Sequence, residues 1–243
     1  MTAPVFVVDR IGHGTVTLDG PEGRHAVSVR RLRVGEEIVL TDGAGHGAYG
    51  TVAAVEGKDR LEVRIVGLRE EPEPEPRITV VQALPKGDRG ELAVETMTET
   101  GVDAIVPWAA ARCITQWKGD RGAKSLAKWR ATAREAGKQS RRLRFPVVAE
   151  AATTRKVAEM LAGAAFAGVL HEEGAEPLAT APLPPSGDIM LVVGPEGGVS
   201  PEELAAFAQA GAKPYRLGRS VLRTSTAGTA ATALLLGRTG RWS

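Results

Sequence analysis

Residues 1–70 alternate apolar and polar positions in short runs, as half-buried strands do. Strands are predicted at 5–8, 15–18, 37–40, 48–55 and 61–66, separated by turn signals at Asp42-Gly43, Gly45-His46-Gly47 and Glu56-Gly57. Several short strands at this spacing predict a small barrel or sandwich. Residues 21–33 break the pattern. Ala26, Val29 and Leu32 recur every third position, which predicts a helix with those three facing inward.

Glu70-Glu71-Pro72-Glu73-Pro74-Glu75-Pro76 cannot build a core, and alternating Glu and Pro favours an extended chain. It divides the chain into a first domain at 1–70, a linker at 71–77 and a second domain at 78–243. Beyond it the period changes. Strands are predicted at 78–84, 104–107, 146–148, 166–170, 189–193 and 215–217. Helices are predicted at 88–100, 124–138, 154–162 and 224–236, with another starting at the Ser200-Pro201-x-Glu203 capping box. In the 124–138 helix Leu126, Trp129 and Ala133 face inward. Strands alternating with helices imply α/β architecture with a mostly parallel sheet.

Composition adds limits. Of 243 residues, 43% are hydrophobic and 25% charged, the balance of an ordinary globular protein. The lone Cys113 excludes an internal disulfide and suits a reducing compartment. No apolar run reaches the ~20 residues needed to span a membrane, and no signal pattern opens the chain. The expectation is a cytoplasmic protein with no membrane association and no metal.

The net charge of +2 conceals local excesses. Arg24, Arg30, Arg31 and Arg33 cluster with His25 in the first domain. Between Lys118 and Arg144, ten basic residues face only Asp120 and Glu135, a local excess of +8. Arg130, Arg134 and Lys138 share one helix face, where like charges repel, and Arg141 and Arg142 follow. A repulsive stripe without compensating acids suggests a polyanion, and two such clusters favour nucleic acid over a merely solvated face.

Two loops carry the remaining chemistry. Gly194-Pro195-Glu196-Gly197-Gly198 lies between a strand and a helix, where open α/β sheets place ligands. Glu196 and the missing phosphate-loop lysine disfavour a nucleotide phosphate. A neutral or cationic ligand rich in donors suits the loop better, and a plain strand-to-helix turn fits the residues equally well. The second loop, from Leu217-Gly218 to Leu222, carries Arg219, is followed by Arg223 and opens a helix of small residues; it too reads as ligand loop or ordinary core connection.

Together, the 194–198 motif, Leu217-Gly218 and Leu222-Arg223-Thr224-x-Thr226-Ala227 resemble the SPOUT class of RNA methyltransferases, and within it the RsmE family, which methylates N3 of a uridine in 16S ribosomal RNA. In the first domain, His25-x-x-x-Val29-x-Arg31-x-x-x-Gly35 and Leu40-x-Asp42-Gly43 resemble that family's PUA-like RNA-binding domain. Gln82, Lys86-Gly87, Glu99-x-Gly101, Arg112-Cys113 and Gln139-Ser140 extend the likeness nearly end to end. Three positions depart: Ser225 and Lys138 stand where the family usually has Glu, and Thr96 where Lys is frequent.

The resemblance implies a trefoil-knotted parallel-sheet domain that binds S-adenosylmethionine, preceded by a small PUA-like β-barrel and working as a homodimer on the small ribosomal subunit. Its cofactor pocket maps onto Leu170, His171, Gly194, Pro195, Glu196, Gly197, Gly198, Leu217, Gly218, Leu222, Thr224, Thr226 and Ala227, with backbone groups of Leu217 and Leu222 reading the adenine. Arg223 becomes the catalytic candidate, stabilising charge on the uracil oxygens; no side chain stands out as general base. Arg24, His25, Arg30, Arg31, Arg33, Arg130, Arg134, Lys138, Arg141 and Arg142 become the RNA-binding candidates. Alternatives are ribose 2′-O or guanine N1 methylation, or a non-catalytic ribosome assembly factor.

Overall fold

The computed structural model describes residues 3–242. The chain packs as two units. One holds the residues up to Glu73 together with Arg134–Phe145; the other holds Pro74–Ala133 and the residues from Pro146 onward.

In the first unit, β1 (Val5–Val7), β2 (Thr15–Leu18), β3 (Glu37–Thr41), β4 (His46–Glu56) and β5 (Arg60–Glu70) form one sheet in the order β1-β3-β4-β5-β2. Only the β1–β3 pair is parallel. Alternation sends Phe6, Leu18, Ile38, Leu40 and Leu61 into one core. β4 and β5 run longer than the sequence suggests. β5 continues to Glu70, which pairs with His46, so the extended Glu/Pro tract begins later.

The helix expected over 21–33 is shorter and changes form. α1 covers Gly20–Arg24 and passes into a π-helical turn at His25–Val29, closed by the Arg30 N–H donating to the His25 carbonyl at 2.8 Å. A π turn holds more residues than an α turn, so a spacing of three no longer keeps one face. Ala26 is buried, but Val29 is 65% exposed, contrary to the inward position expected of it. Arg31 then takes a left-handed φ of 58° and ends the helix.

The segment 134–145 is a part of this unit that a reading of residues 1–70 omits. Thr41 Oγ1 donates to the Leu143 carbonyl at 2.8 Å, and the Phe145 N–H donates to the Gly43 carbonyl at 2.8 Å. Leu143 is buried with Val5 and Val39. A Cβ on Gly47 would stand 2.7 Å from Leu143 Cδ1, so glycine there makes room for this side chain.

The second unit is α/β. Its strands are β6 (Arg77–Ala83), β7 (Ala104–Trp108), β8 (Val147–Val148), β9 (Phe166–Leu170), β10 (Glu176–Pro177), β11 (Asp188–Val193) and β12 (Lys213–Arg216). They line up as β10-β12-β9-β11-β6-β7-β8, every pair parallel. The central strands are buried along their length after the first residue, as strands covered on both faces must be, with Thr79 and Gln82 as polar residues inside β6. Helices α2 (Arg89–Thr100), α3 (Gly119–Gln139), α4 (Thr154–Ala162) and α5 (Pro201–Gln209) supply connections between strands and α6 (Thr224–Arg238) follows the last one, α3 running on into residues counted with the first unit. α5 has the expected capping box: Ser200 Oγ accepts from the Glu203 N–H, and the Glu203 carboxylate accepts from the Ser200 N–H. Leu126, Trp129 and Ala133 are buried as the periodicity required. A Cβ on Gly228 would lie 2.6 Å from Met97 Sδ, so glycine lets α6 pack hard on α2.

Candidate functional site

Parallel strands send the loops at their C-terminal ends to one edge of the sheet. There the loops after β9, β11 and β12, with the start of α6, enclose a cavity of about 540 Å³. That volume suits a small-molecule site, which occupies roughly 300–1,000 Å³.

Leu170, His171, Gly194, Pro195, Glu196, Gly197, Gly198, Leu217, Gly218, Leu222, Thr224 and Ala227 all line it, and so does Arg223. Thr226 does not. Thr224 and Ala227 are one helical turn apart and face the cavity, which turns Thr226 outward; its hydroxyl donates to the Arg223 carbonyl at 3.2 Å. Thr226, expected to touch the cofactor, thus stands outside the cavity wall.

The walls are braced by hydrogen bonds. Thr224 Oγ1 donates to the Gly194 carbonyl at 3.1 Å, and Gln82 Nε2 donates to the Thr224 carbonyl at 3.3 Å. The Gly198 N–H closes a turn on the Pro195 carbonyl at 2.9 Å, with Gly198 at a φ of +75° that L side chains rarely adopt. Arg112 Nη1 donates to the Gly197 carbonyl at 3.0 Å. Glu196 accepts from the Lys86 N–H and from Arg89, both at 3.4 Å.

Behind the loop stands Glu203, a buried carboxylate. It accepts from the Ala111 N–H at 2.8 Å, the Thr154 hydroxyl at 3.0 Å and the Ser200 N–H at 3.0 Å. Trp108 Nε1 donates in turn to Thr154 Oγ1 at 3.2 Å. This network fixes where α5 begins, and with it the 194–200 loop. Cys113 lies nearby, buried, its thiol pKa raised by desolvation despite hydrogen bonding from Ala110 and Leu84.

Sequence reasoning missed Arg89, Arg112 and Arg216 as cavity residues. With Arg219 and Arg223 they set five guanidiniums against Glu172 and Glu196 around one opening. A signal existed: Arg89 follows β6 and Arg112 follows β7, and parallel pairing puts both loops on the ligand edge.

The RNA-binding candidates divide. Arg24, Arg30, Arg31, Arg33 and Arg141 are exposed and make no ion pair among the described residues. His25 is half-buried, its ring edge-on to Phe6 at 5.6 Å, and Arg142 is half-buried. Arg130 pairs with Glu150 at 2.8 Å. Arg134 and Lys138 meet Glu22 at 3.5 and 2.8 Å, and Lys138 also meets Glu135 at 3.3 Å. The Lys138 side chain is only 3% exposed, with its ammonium 6.0 Å from the Phe6 ring centroid. The uncompensated stripe expected on α3 is thus corrected: acids distant in sequence neutralise it, and Lys138 is an interior ion-pair member with no surface to offer RNA.

Among the described residues no group of three or more His, Cys, Asp or Glu side chains is arranged to hold a metal ion, and no helix is long and apolar enough to cross a membrane.

Residues 71–236 match the family model of an RNA methyltransferase domain, and residues 18–66 match that of an RNA methyltransferase PUA domain. A ribosomal RNA small subunit methyltransferase E from Mycobacterium bovis is 45% identical over an alignment 248 positions long, covering 100% of this chain and 94% of that protein. Among solved structures, a ribosomal RNA small subunit methyltransferase E from Neisseria gonorrhoeae bound to S-adenosyl methionine has a TM-score of 0.84 at 31% identity, with 98% of each chain covered. A Legionella pneumophila structure in complex with bound SAM has a TM-score of 0.87 at 27% identity, again with 98% of each chain covered.

Proposed function

The chain belongs to the RNA methyltransferase family, whose domain it carries over residues 71–236, and from that premise we propose that it uses S-adenosylmethionine to methylate N3 of a uridine in 16S ribosomal RNA. The observation that carries the reading is the cavity, where the two loops singled out by sequence meet and Thr224 ties one to the other.

The residues present fit this cofactor. Gly218 lines the cavity, and a Cβ built on it would meet nothing within 4 Å, so its lack of a side chain leaves space against the backbone. The backbone of Leu217 and Leu222 is the adenine-reading element. Glu172 and Glu196 offer carboxylate acceptors to the ligand's hydroxyl and amine donors, and the arginines around the opening offer donors to its carboxylate. When bound, S-adenosylmethionine supplies an electrophilic methyl group on a sulfonium.

The protein's part is positioning and charge. Uridine N3 carries a proton, and as that proton leaves, negative charge spreads to the flanking uracil oxygens. Arg223, at the N-cap of α6 on the cavity wall, is the donor for that charge. Arg24, Arg30, Arg31, Arg33 and Arg141 hold RNA phosphates, an interaction that weakens steeply with salt. The family likeness further suggests a trefoil knot in the second unit, a closed PUA-like barrel in the first, a homodimer and a cytoplasmic location.

The test is methylation in vitro of small ribosomal subunits purified from a strain lacking the protein, followed by nucleoside analysis of the rRNA. N3-methyluridine should appear with wild type and be lost with Arg223→Ala, while calorimetry finds S-adenosylmethionine affinity near normal. A different methylated nucleoside, no product, or unchanged turnover of R223A overturns the reading.

A further inference from the structure

A second, smaller cavity of about 180 Å³ lies in the same unit and shares two walls with the cofactor cavity. One wall is the segment after β6: Arg89 lines the larger cavity, while Leu84, Pro85 and Gly87 line the smaller. The other is the segment after β7: Arg112 lines the larger, while Gln116 and Trp117 line the smaller. The volume is below the roughly 300–1,000 Å³ of a drug-sized ligand site and leaves room for one planar ring.

Trp117 forms its apolar side, and it is held rather than mobile. Its ring meets the buried Trp129 edge to face, with centroids 5.0 Å apart and planes at 79°. Trp129 in turn packs where a Cβ on Gly90 would come within 2.7 Å of it. The loop bearing Trp117 is tied across the cavity by Thr115 Oγ1 donating to the Pro85 carbonyl at 2.8 Å. Trp117 itself remains half-exposed, and Gln116 and Arg121 stand on the rim, their side-chain donors without a partner among the described residues. Exposed Lys118, Arg121 and Lys124 have no ion-pair partner among the described residues, and Glu91 on the opposite wall is already paired with Lys128 at 2.9 Å. An aromatic platform beside one unpaired guanidinium, that of Arg121, and a side-chain amide is the chemistry that holds an unpaired nucleobase and its phosphate.

We infer that this cavity is a subsite for one base of the substrate RNA neighbouring the methylated nucleotide, stacked on Trp117 and held through its phosphate by Arg121. The inference rests on the rRNA methyltransferase reading. It assigns Trp117 to substrate positioning, outside the reacting atoms.

The experiment is steady-state methylation of small ribosomal subunits from a strain lacking the protein, with Trp117→Ala, Trp117→Phe and Arg121→Ala. Stacking on an aromatic side chain is worth enough that its loss should raise the KM for subunits about tenfold. W117A should show that rise with kcat at saturating subunits held, W117F should recover most of the loss, and R121A should raise KM and flatten its salt dependence. Calorimetric affinity for S-adenosylmethionine should be unchanged in all three. If wild type methylates the subunits and W117A has the wild-type KM, the subsite is overturned while the enzymatic reading stands. If W117F fails as badly as W117A, or if W117A also loses S-adenosylmethionine affinity, Trp117 is merely structural and the subsite is likewise overturned. If wild type methylates nothing, it is the underlying reading that fails.

Discussion

Thr224 Oγ1 and the Gly194 carbonyl, thirty residues apart in sequence, are joined by a 3.1 Å hydrogen bond that makes the cavity's two loops a single wall. Thr224→Val keeps the shape and removes the donor. A net hydrogen bond contributes about 1 kcal/mol, so S-adenosylmethionine affinity should fall roughly five- to tenfold by calorimetry. Wild-type affinity in T224V would mean the loops hold their positions without the tie.

Gly218→Val probes the cavity itself. Gly218 is not among the left-handed glycines, so the backbone accepts a side chain, and that side chain enters open space on the wall. Cofactor affinity should drop at least tenfold with the melting temperature unchanged. Retained affinity would show that the ligand lies elsewhere.

Lys138→Ala should damage the first unit's stability and leave RNA affinity alone. Removing one partner of a fully buried pair costs about 3–5 kcal/mol, and here the partly exposed Glu22 keeps Arg134, which reduces the cost to about 2. Hydrogen exchange at the β1 and β3 amides reports it. A salt-dependent loss of RNA binding in K138A, with exchange unchanged, would restore Lys138 as an RNA contact.

Burial raises the Cys113 pKa, so the folded protein keeps that proton at a pH where the unfolded chain has begun to lose it. The stability this contributes is complete below the ordinary thiol pKa of about 8.5 and declines as pH climbs through the folded-state value. Alkylation by iodoacetamide at about pH 8 should therefore be far slower in the native protein than in denaturant. Equal rates would contradict the buried, protonated thiol.

Much of this was legible in the residues because it depends on short-range rules. Strand and helix periods, the Ser200–Glu203 capping box and the shared loop edge of a parallel sheet are all local or follow from strand direction. Three features were not. The π turn at His25–Val29 keeps the same residues but changes their angular spacing, so a period of three misplaced Val29. The charge on α3 looked uncompensated because Glu22 and Glu150 approach it only in three dimensions. Arg112 stands in a motif of the family likeness, but its place on the Gly197 carbonyl depends on β7 and β11 flanking β6 in one sheet.

The membership of residues 134–145 in the first unit has a consequence during synthesis. The β sheet is fully translated by Glu70, yet Leu143, which closes over Val5 and Val39, is made only 73 residues later. The nascent amino-terminal sheet must wait with an apolar face uncovered. Cutting the gene at the Glu/Pro tract would make that wait permanent, so an isolated 1–73 fragment should need the 134–145 peptide supplied in trans to become soluble.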